Sequence, residues 1–312
     1  MGTIAVTGSV AFDTIMVFPG RFAEHIISDQ AHILNVSFLV DRLEKRRGGT
    51  AANIAYNLAL LGERPLLCAA VGNDFAEYGA ALTAVGVDTS GALMFDDIPT
   101  ATAFITTDAD DNQITAFYAG AMGRSARVDL AGLADVDHVV VAPDAPDGMA
   151  LHVEQAAALG ARLVFAPAQQ LSSLSDETLV AGLDAAWLVV GNDYEFQVIE
   201  RRTGRDPKST AAGGAMVALT RGGQGSELHS GGVVHRIPVA PPEALVDPTG
   251  AGDAYIAGLL AGLRAGREPE VAGRVAALAA TYVIEQQGPQ SHHYSREQFA
   301  DRYATSFGQP LD

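Results

Sequence analysis

Short apolar runs alternate along this chain with stretches whose hydrophobic positions recur at helical spacing. Residues 3–7, 65–72 (PLLCAAVG), 138–143 (HVVVAP), 162–167 (RLVFAP), 186–191 (AWLVVG) and 215–220 (AMVALT) read as strands. Between them, 51–61, 76–85, 148–159 and 193–202 read as helices. Strands that are apolar almost throughout need cover on both faces, so the pattern predicts a mostly parallel sheet between helical layers, an α/β fold. Two regions break the rhythm. Residues 12–41 and 91–120 are rich in β-branched and aromatic positions with turn signals, as in ATAFITTDADDNQITAFYAG, where DADDN reads as a hairpin connection. They predict a small β-lid inserted into one domain that spans 1–312. Residues 226–238 alternate around Gly231-Gly232 and predict a second hairpin.

Composition narrows the possibilities. The 312 residues are 48% hydrophobic and 18% charged, enough to bury a large core. A formal net charge of -17 argues against nucleic acid and anionic membrane surfaces as partners, so any phosphate site must be local. The single cysteine, Cys68, lies in an apolar run and reads as a buried small hydrophobe. Together with the absence of a leader-like start or a run of about 20 apolar residues, this leads us to expect a cytoplasmic protein.

The stretch VDPTGAGDAYIAGLLAGL, residues 246–263, carries the densest chemical signal. It is not a dinucleotide loop, because Tyr255 stands where the third glycine belongs, and no P-loop pattern occurs in a chain whose only lysines are Lys45 and Lys208. What remains is a turn of backbone N–H groups at Gly250, Ala251 and Gly252, opening a helix whose dipole favours an anion. Asp253 beside it is expected to stay ionised, its pKa lowered further by the helix start, and to accept a proton from an attacking hydroxyl. A plain helix-capping role fits the same pattern equally well.

Other positions allow two readings each. Asp13 follows an apolar strand and is either a turn residue or a ligand for hydroxyls. Gly48 and Gly49 let a backbone approach a ligand closely, and Asn53, one turn into the next helix, offers both a donor and an acceptor; the same residues make an ordinary loop-to-helix junction. Asn192 and Glu195 have the spacing of a capping pair and also of two oxygen donors on one side of a first turn. Residues 220–225 (TRGGQG) close a strand with a glycine turn. Phe104 and Phe117 flank the expected hairpin and either face a ligand from adjacent strands or form the lid's own core. His292 and His293 lack a third metal ligand at useful spacing and read as a solvated turn.

Taken in order, AVTGSVAFD, RRGGTAANIAYNLALLG, GNDYE, TRGGQG and DPTGAGDAYIAG resemble the motifs of the PfkB carbohydrate-kinase, or ribokinase-like, family across essentially the whole chain. The resemblance implies a three-layer α/β/α core with a mostly parallel sheet and a small β-sheet lid. It also implies that Asp253 is the catalytic base, that the amides of Gly250, Ala251 and Gly252 form an anion hole, that Asp13 binds sugar hydroxyls, and that Gly48-Gly49 is the lid hinge. Asn192 and Glu195 would order Mg²⁺-bound water, and Asn192, Thr220, Gly222 and Gly225 would hold ATP. A monovalent cation such as K⁺ would sit near Asp247 and Thr249, with carbonyls around Gln287 and Gly288.

FPGRFAEHI, VSFLVD, FYAGAM, AQQL and NDYE further resemble bacterial adenosine kinases of this type. That resemblance implies Gln169 and Gln170 near a nucleoside, Phe38 on the lid, and Phe104 and Phe117 around adenine. Ala166 and Ala168 depart from the polar neighbourhood it would bring. The expected activity is ATP-dependent phosphorylation of the 5′ hydroxyl of adenosine. A ribokinase- or fructokinase-type sugar kinase is the alternative, and a non-catalytic nucleotide-binding module is a rival of another class. An exposed lid edge predicts a homodimer, against a monomer whose edge is covered.

Overall fold

Alternating side chains of one central sheet feed two separate cores. On β1 (Thr3–Thr7), Ile4 and Val6 enter one apolar cluster and Ala5 the other, and the same division runs through the neighbouring strands. The computed structural model describes residues 2–25 and 35–311. Its further strands are β2 (Ala11–Val17), β3 (Arg42–Gly48), β4 (Leu66–Cys68), β5 (Ala70–Gly72), β6 (Leu93–Phe95), β7 (Ala101–Thr107), β8 (Gln113–Tyr118), β9 (Val136–Val141), β10 (Arg162–Phe165), β11 (Ala186–Asn192), β12 (Met216–Thr220), β13 (Ser226–Ser230) and β14 (Val233–Ile237). The helices are α1 (Phe22–His25), α2 (Thr50–Leu60), α3 (Ala76–Ala84), α4 (Pro146–Ala158), α5 (Asp176–Ala185), α6 (Asp193–Thr203), α7 (Pro207–Ala212), α8 (Ala251–Arg264), α9 (Pro269–Ile284) and α10 (Arg296–Phe307).

The large sheet has the order β14-β13-β12-β11-β10-β9-β1-β4. Neighbours are parallel from β12 to β4, and the hairpin β13-β14 adds an antiparallel edge around Gly231-Gly232, as the sequence pattern predicts. Helices α2, α8 and α9 cover one face with residues such as Ile54, Leu259 and Leu278, while α4, α5 and α6 cover the other with Met149, Leu183 and Phe196. This is the three-layer α/β/α architecture with a mostly parallel sheet that the resemblance implies. Cys68 is buried in it, and burial pushes its thiol up to about 12. Among the described residues no helix is long and apolar enough to cross a membrane.

The second sheet, β3-β2-β7-β8, is the small one. The turn joining β7 to β8 is held by Asp108, whose carboxylate accepts N–H bonds from Asp110 and Asn112 and ties in Phe22. Its composition corrects the expected lid boundaries at two points. β3, all of it beyond residue 41, is a full member, paired antiparallel with β2. Its string RLEKRRG places charges on both faces of a strand that is largely exposed, so it carries no apolar alternation to detect. β6, inside 91–120, pairs instead with β5 outside the lid. Residues 26–34 of the expected segment lie outside the described residues.

Candidate active site

The order of the large sheet creates a crevice. From β1 the chain moves to β4 on one side and later to β9, β10, β11 and β12 on the other, and the carboxyl ends of strands flanking such a reversal are where open α/β sheets bind ligands. Ser9 follows β1, Pro143 follows β9, and Gln169 and Gln170 follow β10; all four line a cleft of about 520 Å³. The lid contributes Asp13 and Phe117 from the opposite side. That volume is ordinary for a small-molecule site.

Two helix starts converge on the cleft. Gly49 precedes α2 at φ 92°, and a side chain there would meet the Ala11 N at 2.5 Å, so the lid and the helix close on one another only through glycine. Gly250 precedes α8 at φ 84°, with Pro289 2.4 Å from where its Cβ would be. Asn53 of α2 donates through Nδ2 to Asp253 Oδ2 of α8 at 2.8 Å, bridging the two. The expected trio of amides differs in one member. The Ala251 N–H turns back to the Pro248 carbonyl at 3.2 Å, which leaves the N–H groups of Gly250, Gly252 and Asp253 without a partner among the described residues. Both positive helix ends therefore point at the same space.

The expected charge state of Asp253 is overturned. Burial on the cleft floor pushes its pKa up to about 7, and only the Asn53 N–H opposes that rise. Desolvation of the carboxylate outweighs the helix dipole, whose contribution is seldom more than about 1 kcal/mol. The result is a carboxyl group poised between its two forms at neutral pH, which suits proton abstraction better than a fully ionised acid. Asp13 is also raised, by burial, with Arg46 opposing and Asp247 adding to the rise. Asp247 goes the other way: burial pushes it up, but hydrogen bonds from Thr249 and Gly288 and the Arg46 charge outweigh this.

Thr249 donates its N–H to Asp247 Oδ1 and Gly288 donates to Oδ2, both at 2.9 Å. The loops expected to flank a monovalent cation are thus together. However, the positive charge beside Asp247 is Arg46, 3.7 Å away, so this carboxylate does not fit a cation ligand.

At the carboxyl ends of β11 and β12, Asn192 pairs in register with Thr220, and Gly222 and Gly225 lie in the turn beyond β12. Asn192 and Glu195 form a reciprocal cap. Asn192 Oδ1 accepts from the Glu195 N–H at 2.8 Å, and Glu195 accepts from the Asn192 N–H and Nδ2 at 2.9 and 3.0 Å. Burial raises the Glu195 pKa. With their oxygens engaged, these residues fit hydrogen bonding to metal-bound waters rather than direct coordination, a role compatible with Mg²⁺, which keeps several waters.

Several expected positions fall elsewhere. Ala103 pairs with Phe117 and Phe104 pairs with Ala116, so the two phenylalanines point to opposite faces of the lid; Phe117 faces the cleft and Phe104 is 42% exposed. Phe38 packs at the lid's far end with Phe18 and Phe22, at 4.9 and 5.0 Å between ring centroids. His292 is not solvated. It is 2% exposed, bonded through Nε2 to Asn57, and burial lowers its pKa to about 4. Tyr255, where a dinucleotide loop would have glycine, is buried with its hydroxyl on Ser226. Sequence reasoning missed Ser9, Met122 and Pro289 in the cleft wall. Ser9, two residues past an apolar strand, carried a usable signal; the other two carried none.

A lid over the switch point of a doubly wound sheet, with a tunable acid beside amides that are free among the described residues, makes a site able to take a proton from a hydroxyl and to hold an anion beside it. The chain belongs to the pfkB carbohydrate kinase family, whose pattern matches residues 7–295. A nucleoside kinase of Methanothermobacter thermautotrophicus is 31% identical over 310 residues, 98% of this chain and 96% of that protein. The nucleoside kinase of Burkholderia thailandensis in complex with inosine superposes with a TM-score of 0.88 at 36% identity, covering 99% of both chains. The same kinase in complex with ADP-inosine gives a TM-score of 0.86 at 38% identity, over 99% of this chain and 98% of that one. The nucleoside kinase of Methanocaldococcus jannaschii gives a TM-score of 0.88 at 26% identity, over 98% of this chain and 99% of that one.

Proposed function

We propose that this chain transfers the γ-phosphoryl group of ATP to the 5′ hydroxyl of a nucleoside, with adenosine to AMP as the first candidate reaction. The observation that carries the reading is the position of Asp253, bonded to Asn53 and beside amides unpartnered among the described residues, in one cleft with Phe117, Gln169 and Gln170. The relatives support a nucleoside acceptor, and inosine, held by one of them, differs from adenosine only on the six-membered ring. In this reading Phe117 stacks on the base, the Gln169 and Gln170 amides meet its polar edge, and Asp13 accepts hydrogen bonds from ribose hydroxyls. Asp253 takes the proton of the attacking hydroxyl, and the Gly250, Gly252 and Asp253 N–H groups stabilise charge on the moving phosphoryl. Asn192, Thr220, Gly222 and Gly225 hold the ATP side, and Asn192 and Glu195 hold the waters of Mg²⁺. When bound, the metal neutralises phosphate charge. Lid closure about Gly48-Gly49 excludes water.

A sugar phosphate is a poor acceptor for this cleft. Arg46 is committed to Glu44 and Asp247, and Arg47 stands on the opposite face of the lid sheet from Asp13. A homodimer through the lid is part of the proposal, supported by the exposed Leu43, Phe104, Ile114 and Tyr118. All four project from the face turned away from Asp13. Asp253→Asn is expected to lose about 10³-fold in turnover while still binding ATP, and near-normal turnover sinks the assignment of the base. An acceptor panel of adenosine, inosine, ribose and fructose tests the substrate; preference for a free sugar overturns it.

A further inference from the structure

We propose that Tyr78 and Gln290 are positioning residues for phosphoryl transfer, which together lock the Asn53 side-chain amide with its NH₂ toward Asp253. The inference rests on the reading of Asp253 as the base. Four hydrogen bonds, three of them buried and the last half-buried, join the last residue of lid strand β3 to Asp253. Tyr78 Oη donates to the Gly48 carbonyl at 2.7 Å. Gln290 Nε2 donates to Tyr78 Oη at 2.6 Å and to Asn53 Oδ1 at 2.8 Å, and Asn53 Nδ2 donates to Asp253 Oδ2 at 2.8 Å. Tyr78, Gln290 and Asn53 are 1%, 8% and 4% exposed, so water has little access to these groups.

The direction of every bond follows from one fixed end. A backbone carbonyl only accepts, so Tyr78 must spend its single proton on Gly48 and can only accept from Gln290. That requirement turns the Gln290 NH₂ inward, and its second hydrogen goes to the Asn53 oxygen. Asn53 must then present its NH₂ to Asp253. A side-chain amide held at one end only can flip; this one is held at both. Gln290 and Tyr78 line a different cleft from the one that holds Asp253, on the far side of β3, so they act through Asn53 and not on the substrate. With the Asn53 amide reversed, an oxygen would face the carboxylate and favour its protonated form.

The surrounding charges leave this orientation decisive. Arg47 and Asp13 lie around Tyr78, and Arg46 and Asp247 around Asp13, yet the polar partner that tunes Asp253 is Asn53. The test is kcat/KM for the nucleoside against pH in Gln290→Met, Tyr78→Phe and Asp253→Asn. Gln290→Met keeps the side-chain volume but donates nothing. Its acid limb is expected about one pH unit higher, a tenfold loss at a fixed acidic pH, with most of the alkaline plateau and the KM for ATP retained. Tyr78→Phe, which removes one oxygen atom, is expected to move the limb the same way by less, and it carries the test alone if Gln290→Met does not fold. A loss uniform across pH, or a limb that stays put in both variants while Asp253→Asn is inactive, overturns the relay and leaves the base standing. Turnover retained by Asp253→Asn overturns the base, and the relay with it.

Discussion

The two sheets of this protein solve the burial problem in opposite ways. In the large sheet Val139, Val140 and Val141 of β9 are all fully buried, because helices cover both faces. In the lid every residue of β8 is exposed, and the buried apolar cluster at its base is small, made of Ala11, Ala101 and Met122. The large sheet completes its own core; the lid is anchored at one end and leaves both faces to be covered by something else. A ligand on the Phe117 face and a second copy on the Phe104 face are the occupants proposed above. The difference predicts where stability resides. Phe165→Ala, on β10, should cost about 3–5 kcal/mol and lower the thermal midpoint sharply, whereas Leu43→Ala in the lid should stay within about 0.5 kcal/mol. Equal losses in thermal unfolding would mean that the lid belongs to the folding core after all.

Asp253 is the exception on the well-covered side, and it gives the next effect in size. Its pKa is near 7 in the folded protein and about 4 in an unfolded chain. Between those values the folded state binds the extra proton, so stability falls as pH rises from about 4 to 7 and is flat beyond. Asn at this position still accepts from Asn53 and never ionises. Asp253→Asn should therefore melt a few degrees above the wild type at pH 8, with the gap closing toward pH 4, even though it is inactive. A gap that does not change with pH would show that the carboxyl group titrates normally and that the cleft floor is wet.

The contrast between the sheets also explains what was legible. The strands of the large sheet and helices α2, α3, α4 and α6 were readable because each has enough apolar positions at its own period, and the glycine turn before α8 declares its chemistry locally, whereas α5, α9 and α10 were not read from the sequence. The lid's third strand was not, since Arg42–Gly48 folds by pairing with β2 rather than by burying a face. The opposed faces of Phe104 and Phe117 depend on the β7-β8 register, fixed by a five-residue turn and the Asp108 carboxylate. The charge state of Asp253 was misjudged because the helix dipole is visible in a sequence and desolvation is not. Gln290 lies in an irregular stretch, 237 residues from the Asn53 side chain it orients.

The smallest effects divide the lid itself. If the cleft face receives a nucleobase, Phe117→Ala removes a stacking partner worth about 1–3 kcal/mol, which raises the KM for the nucleoside roughly 5- to 150-fold and leaves the KM for ATP in place. Phe104→Ala, one register position away and therefore on the other face, should leave both constants within about twofold. Its expected signature is in solution mass: if the outer face pairs two copies, Phe104→Ser weakens the dimer seen by light scattering at low protein concentration without changing the unfolding of the core. Should Phe104 instead alter nucleoside KM as strongly as Phe117, the strand register gives no route for a direct contact, and the lid would have to bind substrate through both faces. Measured together, these two substitutions separate the acceptor-binding face from the outer face more sharply than either does alone.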